Sequence, residues 1–376
     1  MIKEDNNSKS RKHRPLFHPA FGSRPQQIIG RDYVIEEFLA GLQEPIGSQQ
    51  RCTFFLGQRG MGKTALLIEL AERAAQLDYI VARVTAYEGM PDEIIETIQR
   101  EGAHLFKEPE RRIQGFEAGA LGFSFGLTFT PATEAQYGFR TKLSLLCDEL
   151  ASKGKGVLLL IDETTSSEAM RQVATTYQHL IGEDKNIAIA MAGLPHAVSG
   201  VLNDKVLTFL NRARKVNIGP IALADVRAYY AHAFGELEVE CPENLLDQAA
   251  KATQGFPYLV QLVGYHLVKR AENGMVDQEI LEKALAVSHT EMDDNVFKPM
   301  LAPLSDNDRT LLEAMAQDEG PSKISNLRAR LGVENSSIQP YRARLIDAGL
   351  VESPRTGELM FAVPHLAEYL RENFEK

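Results

Sequence analysis

The sequence predicts an α/β fold, a doubly wound parallel sheet, followed by a helical segment and a small C-terminal domain. Three observations carry this expectation. A glycine-rich turn joins a run of β-formers to a strong helix former at residues 52–70. Apolar strand patterns then alternate with helical ones as far as residue 218. Beyond that point the periodicity becomes helical throughout, until a final mixed segment from residue 304.

The glycine-rich turn organises the rest. Cys52-Thr53-Phe54-Phe55-Leu56 reads as a buried strand, and Ala65-Leu66-Leu67-Ile68-Glu69-Leu70 as a helix. Between them, Gly57-Gln58-Arg59-Gly60-Met61-Gly62-Lys63-Thr64 matches G-x-x-x-x-G-K-[ST], the phosphate-binding loop. Glycines let successive backbone N–H groups curl around an anion. The helix that follows turns its positive N-terminal end toward the same anion. Lys63 suits the outer phosphates, and the Thr64 hydroxyl suits Mg²⁺.

The whole chain sets bounds. Its 376 residues exceed one ordinary domain. A net charge of −10 argues against a general nucleic-acid coat, though not against a local basic patch. No apolar run has membrane-span length, and the N-terminus lacks the apolar stretch of a secretory signal. Cys52, Cys147 and Cys241 have no metal-ligand spacing and suit a reducing compartment, so a cytoplasmic protein without a membrane partner is expected.

In order along the chain, residues 1–26 carry Lys9, Arg11, Lys12 and Arg14 and read as a flexible basic tail, the sharper alternative being an arm that touches phosphate or a partner. Ile35, Phe38, Leu39 and Leu42 mark a first helix, and residues 79–84 a second strand. A glycine- and phenylalanine-rich insertion at 111–137 reads as a surface hairpin, with a partner-binding flap as the alternative. Val157-Leu158-Leu159-Leu160-Ile161-Asp162-Glu163 is an aliphatic strand whose C-terminal end carries two acids. That is how a central parallel strand meets a site. Asp162 suits a metal, and Glu163 suits the positioning of an attacking water. Residues 187–193 give a fourth strand and 215–218 a fifth, with Arg212 and Arg214 just before the last.

Taken together these residues resemble an AAA+ P-loop NTPase of the origin-recognition and STAND-like kind. Ile29-Gly30-Arg31 resembles the family's G-R box near adenine. Gly57–Thr64 is its Walker A and Asp162-Glu163 its Walker B. Arg212 and Arg214 fall where the family places an arginine finger, and Gly255-Phe256-Pro257 resembles the G-x-P motif of the STAND lid. Two departures point to a slow switch rather than a fast motor. The fourth strand ends in Met191-Ala192-Gly193 without a polar sensor, and Pro257-Tyr258-Leu259-Val260-Gln261 offers no sensor arginine. The resemblance covers residues 25–290 and implies an ATP/ADP site at Arg31, Gly57, Gln58, Arg59, Gly60, Met61, Gly62, Lys63, Thr64, Ala65 and Pro257. It implies Mg²⁺ on Thr64 and Asp162, and catalysis by Lys63, Glu163 and an arginine, with Arg212 preferred to Arg214. Such a finger acts on a neighbouring subunit, so self-association with ATP bound is expected. The domains are then a core at 27–220, a helical lid at 221–300 and a third domain at 301–376.

The third domain reads as a winged helix-turn-helix. Ser305–Asp308 caps one helix, Gly332 ends a second, and Asn335-Ser336 opens a third. Residues 350–352 and 359–363 form a wing around Arg355-Thr356-Gly357. The third helix would be the recognition helix, with Ser336, Ser337, Gln339, Arg342 and Arg344 as DNA candidates and Arg355 at the wing tip. Arg342 and Arg344 point about 200° apart on a helix. Ile338, Tyr341 and Leu345 define the core side, which favours Arg342 for DNA and leaves Arg344 to pack along the helix edge or pair with an acid such as Glu334 or Asp347. Residues 302–376 hold nine Lys/Arg against twelve Asp/Glu. A partner protein therefore remains the alternative to double-stranded DNA.

Overall fold

The computed structural model describes residues 15–19, 25–105, 123–125, 127–129 and 136–374. Lys9, Arg11, Lys12, Arg14 and most of the 111–137 insertion lie outside these residues. The chain forms two compact units. One holds residues 31–57 and 63–218, and the other holds 1–30, 58–62 and 219–376.

The first unit is the α/β layer. It contains helix α1 (Asp32–Leu42), strand β1 (Cys52–Leu56), α2 (Lys63–Ala75), β2 (Tyr79–Thr85) and α3 (Met90–Gly102). A short hairpin, β3 (Phe123–Phe125) and β4 (Thr128–Phe129), precedes α4 (Phe139–Ala151). Then come β5 (Gly156–Asp162), α5 (Glu168–Gly182), β6 (Ile187–Gly193), α6 (Pro195–Leu202) and β7 (Arg214–Asn217). The central sheet is parallel with strand order β2-β5-β6-β1-β7. β5 and β6 are buried at every position, which is why their sequences are continuous apolar runs rather than alternating ones. β7, at the edge, alternates between half-buried and exposed residues. The pairing aligns Leu56 with Gly193 and Thr85 with Asp162. The turn after β1 and the acids after β5 thus leave the same edge of the sheet, the edge where open α/β sheets place their sites.

The hairpin corrects one expectation. Leu127 and Phe129 are buried in the core of this unit, and the Gln99 amide on α3 donates to Leu127 O at 2.8 Å. This part of the insertion is core rather than decoration, because its period-two apolar face needs a surface to cover. The Cys52 and Cys147 thiols are pushed up to about 12 by burial, which makes them inert packing groups.

The second unit carries α7 (Leu223–Glu236), α8 (Glu243–Ala252), α9 (Pro257–Arg270) and α10 (Gln278–Met292). The short N-terminal stretch 15–19 belongs with these helices and is not a loose tail. Phe17 is buried, with its ring 5.4 Å from Tyr229, 5.9 Å from Tyr230 and 5.8 Å from Phe234. Tyr229 donates to Leu16 O at 2.5 Å, and His18 N–H donates to Gln261 Oε1 at 3.0 Å. The seat requires Gly264, since a Cβ there would lie 2.1 Å from the Phe17 ring. Composition read this stretch as polar because one aromatic is diluted by its charged neighbours. Phe17→Ala should lower the stability of this unit by about 3 kcal/mol. Gly264→Ala should do the same by expelling the ring, and the double variant should be no worse than either. Denaturant midpoints of the three variants check this.

The C-terminal part of the same unit comprises α11 (Asp306–Ala316), β8 (Ser322–Lys323), α12 (Ile324–Leu331), α13 (Asn335–Asp347), β9 (Val351–Glu352), β10 (Glu358–Phe361) and α14 (Leu366–Phe374). Ser305 and Asp308 form a reciprocal capping box on α11, and Gly332 ends α12 in the left-handed conformation. The three strands pair antiparallel in the order β8-β10-β9. This arrangement is compatible with a winged helix, and β8 is the strand that the sequence did not announce.

Candidate active site

The base of the glycine-rich turn and the paired acids meet within the α/β unit. Gly57 N–H donates to Gly193 O at 3.3 Å, tying the turn to the end of β6. Lys63 is buried, and its Nζ donates to Gly57 O at 2.9 Å. Thr64 Oγ1 donates to Asp162 Oδ2 at 2.7 Å, joining two motifs that lie 98 positions apart in sequence. The other Asp162 oxygen accepts from Glu163 N–H at 2.9 Å. A hydroxyl and a carboxylate this close are hard oxygen donors of the kind Mg²⁺ takes, so the residues present fit that ion.

Glu163 differs from its neighbours. Asp162 and Thr164 are buried and fastened to adjacent strands, through Ala86 N–H to Asp162 O at 2.9 Å and Thr164 N–H to Ala192 O at 2.8 Å. Between them Glu163 is exposed and holds a φ of +52°. That left-handed backbone is unfavourable for a residue with a side chain. The Glu163 side chain is exposed immediately after the strand end.

The tip of the turn, Gln58–Gly62, belongs to the helical unit. Gly60 has a φ of +78°, and a Cβ on it would lie 2.4 Å from the Phe256 ring. No other residue fits there. Phe256 is buried and immediately precedes α9, whose first residue, Pro257, stands beside Gly62. The structure therefore brings Pro257 to the tip of the turn. Gln58 is half-buried, and its Nε2 donates to Glu352 Oε2 on β9 at 3.1 Å. Arg59 is exposed and Met61 is buried. Arg31, in the α/β unit, sits at the N-cap of α1 and is half-buried.

The two arginines before the last strand separate clearly. Arg214 lies on β7 and forms an ion pair with Glu37 of α1. Arg212 ends a short 3₁₀ turn, Thr208–Arg212, and is exposed. Of the two, Arg212 is the exposed one.

The DNA candidates on α13 are more constrained than the sequence suggested. Ile338 and Leu345 are buried, as their spacing requires, and Ser336 and Ser337 are exposed. Arg344 is fastened to Asp308 of α11 through Nη2 at 2.7 Å and Nε at 3.1 Å, and its guanidinium lies 5.1 Å from the Tyr341 ring centre. Its acid partner is Asp308, where Glu334 or Asp347 was expected, and the same carboxylate closes the capping box on α11. Burial raises the Asp308 pKa, but the hydrogen bonds from Arg344 and Ser305 outweigh it and hold the carboxyl below the usual range. Arg342 donates to Gln339 Oε1 at 3.2 Å and Ser353 Oγ at 3.3 Å, linking the helix to the end of β9. Gln339 in turn donates to Asn335 Oδ1 at 3.2 Å. Arg355 is exposed at the turn between β9 and β10. Glu352, Phe256, Glu37 and Asp308 were all missed as partners of site residues. Two carried a local signal: Asp308 in a capping box and Phe256 inside the Gly255-Phe256-Pro257 motif.

The fold has counterparts among solved structures. A Walker-type ATPase of Pyrococcus abyssi matches with a TM-score of 0.65 at 16% identity, over 96% of this chain and 99% of that one. The ORC2 protein of Aeropyrum pernix, solved in ADPNP–ADP complexes, matches with a TM-score of 0.59 at 17% identity, over 95% of this chain and 97% of that one. With the five-stranded parallel sheet, these likenesses define the fold as the α/β P-loop fold of AAA+ type. Residues 294–370 match a family described as a domain of unknown function, DUF8462. No curated protein matches the sequence significantly.

Proposed function

We propose that this chain is an ATP-binding, slowly hydrolysing switch of the AAA+, STAND-like kind, whose nucleotide state positions its C-terminal winged helix. The observation that carries this reading is the 2.7 Å contact between Thr64 and Asp162, beside a buried lysine on a glycine-rich turn. Lys63 would neutralise charge on the outer phosphates. Thr64 and Asp162 would hold Mg²⁺, which supplies charge neutralisation between the phosphates when bound. Glu163, exposed after the strand end, would orient the attacking water. Arg212 would reach the site of a second copy. Arg31 is put forward as a nucleotide contact, as is Pro257, and the remaining turn residues through Ala65 would present N–H groups to phosphate. The departures in the fourth strand and the lid favour slow turnover. Moving a switch from mostly closed to mostly open needs about 5 kcal/mol of differential binding, which contacts to the last phosphate can supply. The domains of this reading are the core, a helical lid and the winged helix, in the cytoplasm; among the described residues no helix is long and apolar enough to cross a membrane. Calorimetric titration with ATP, with and without Mg²⁺, tests the reading, and an absence of binding in both would sink it.

For the winged helix we put forward double-stranded DNA, met by Ser337, Gln339, Arg342 and Arg355, with Arg344 in a supporting place. A partner protein is the second reading. The engagement of Arg344 by Asp308 and of Arg342 by Ser353 favours it, since both cations already have acceptors. A salt series of duplex-binding measurements separates the two. A phosphate contact by Arg342 predicts that Arg342→Ala weakens binding uniformly across sequences and lowers the salt slope by about one. Arg344→Ala should act mainly by loosening α13 from α11. Absence of duplex binding with either ATP or ADP leaves the protein partner as the better reading.

A further inference from the structure

We infer that Glu352 is an anionic latch on the phosphate-binding turn, holding the C-terminal domain there until nucleotide phosphate displaces it. This rests on the ATP reading of that turn. The Glu352 carboxylate accepts from the Gln58 amide at 3.1 Å, and Gln58 is the second residue of the phosphate motif. The tip of that motif belongs to the same compact unit as the C-terminal domain. A second tie runs beside it. His365, at the foot of α14, bonds Ala252 O through Nε2 at 3.0 Å and Gln254 Nε2 through Nδ1 at 3.3 Å. Gln254 lies two residues before Phe256, whose ring closes over Gly60. The C-terminal domain thus reaches the turn directly through β9 and, through the end of α8, by way of Phe256.

The charge of Glu352 gives the contact its switching character. A phosphate-binding turn gathers backbone N–H dipoles that favour one anion. Glu352 supplies negative charge at its rim, and the phosphates of a nucleotide bring more. Two anions competing for the same turn repel each other, less where water reaches them and more where they are half-buried, as Gln58 and Glu352 are. Filling the turn therefore weakens the Glu352–Gln58 bond. By reciprocity that bond weakens nucleotide binding by the same factor.

The test combines hydrogen exchange with nucleotide titration on the full chain. In the nucleotide-free protein, amides of residues 350–363 should exchange about tenfold faster in Gln58→Ala and in Glu352→Ala, the scale of one charge-assisted bond. The double variant should exchange no faster than either single one. ATP should produce the same acceleration in the wild type. Glu352→Gln keeps a hydrogen-bonding group but not the charge, so ATP should accelerate its exchange much less. Glu352→Ala should bind ATP about tenfold more tightly than the wild type. Unchanged exchange in both single variants, or additive effects in the double, would overturn the latch. So would ATP binding that leaves wild-type exchange unaltered, with the ATP reading intact. A wild type that binds no ATP removes both, and that outcome is distinguished by the titration alone.

Discussion

Lys63→Ala is expected to lower ATP affinity by at least about two orders of magnitude, while Glu163→Gln keeps affinity and loses turnover by a factor of about 10²–10⁴. The two effects differ because the two groups act at different moments. Lys63 is buried on the turn and its Nζ stands 2.9 Å from Gly57 O, so it meets any anion that the turn accepts. On the proposed reading its charge would contribute to the bound ground state. Glu163 is exposed and its backbone is anchored through Asp162. A glutamine there keeps the shape and removes the basic oxygen. Equilibrium binding of a fluorescent ATP analogue and single-turnover phosphate release check the pair. Affinity in Lys63→Ala equal to wild type would exclude this turn as the phosphate site.

Arg212→Ala should abolish any rise of hydrolysis per protomer with protein concentration, with ATP affinity nearly unchanged. An arginine supplied from a neighbour is worth a factor of roughly 10³ or more in rate. Arg214→Ala should instead behave as a stability variant, because Arg214 is paired with Glu37 across β7 and α1. A partly exposed pair of this kind contributes about 1 kcal/mol or less. Turnover measured over a hundredfold concentration range, for wild type and both variants, tests the assignment. Concentration-independent turnover in the wild type would confine Arg212 to its own chain.

What the sequence disclosed followed from locality. The turn at 57–64 and the acids at 162–163 were legible because each is a contiguous pattern whose chemistry demands those residues in that order. The parallel sheet was legible because β5 and β6 are buried on both faces and so lack alternation. The ion pair of Arg214 depends on Glu37, a residue 177 positions earlier whose role has no local signature. Phe17 was hidden by composition, since a single aromatic among basic residues leaves no period. Strand β8 has two residues, too few for alternation to register. Arg344 was expected to find an acid within its own helix neighbourhood. It found Asp308 on another helix, because helix packing and not sequence spacing decides which side chains meet.

The backbone at Glu163 has an evolutionary consequence. A φ of +52° suits glycine better than glutamate, by an amount on the order of 1 kcal/mol. A chain drifting under demand for robustness alone would tend to acquire glycine at that position. On the proposed reading it would melt later and still fill its phosphate turn, but would be expected to lose turnover. On the proposed reading, the strain held by this carboxylate is offset by its part in returning the chain to its starting state. On the same reading, a Glu163→Gly variant would bind nucleotide and stay loaded.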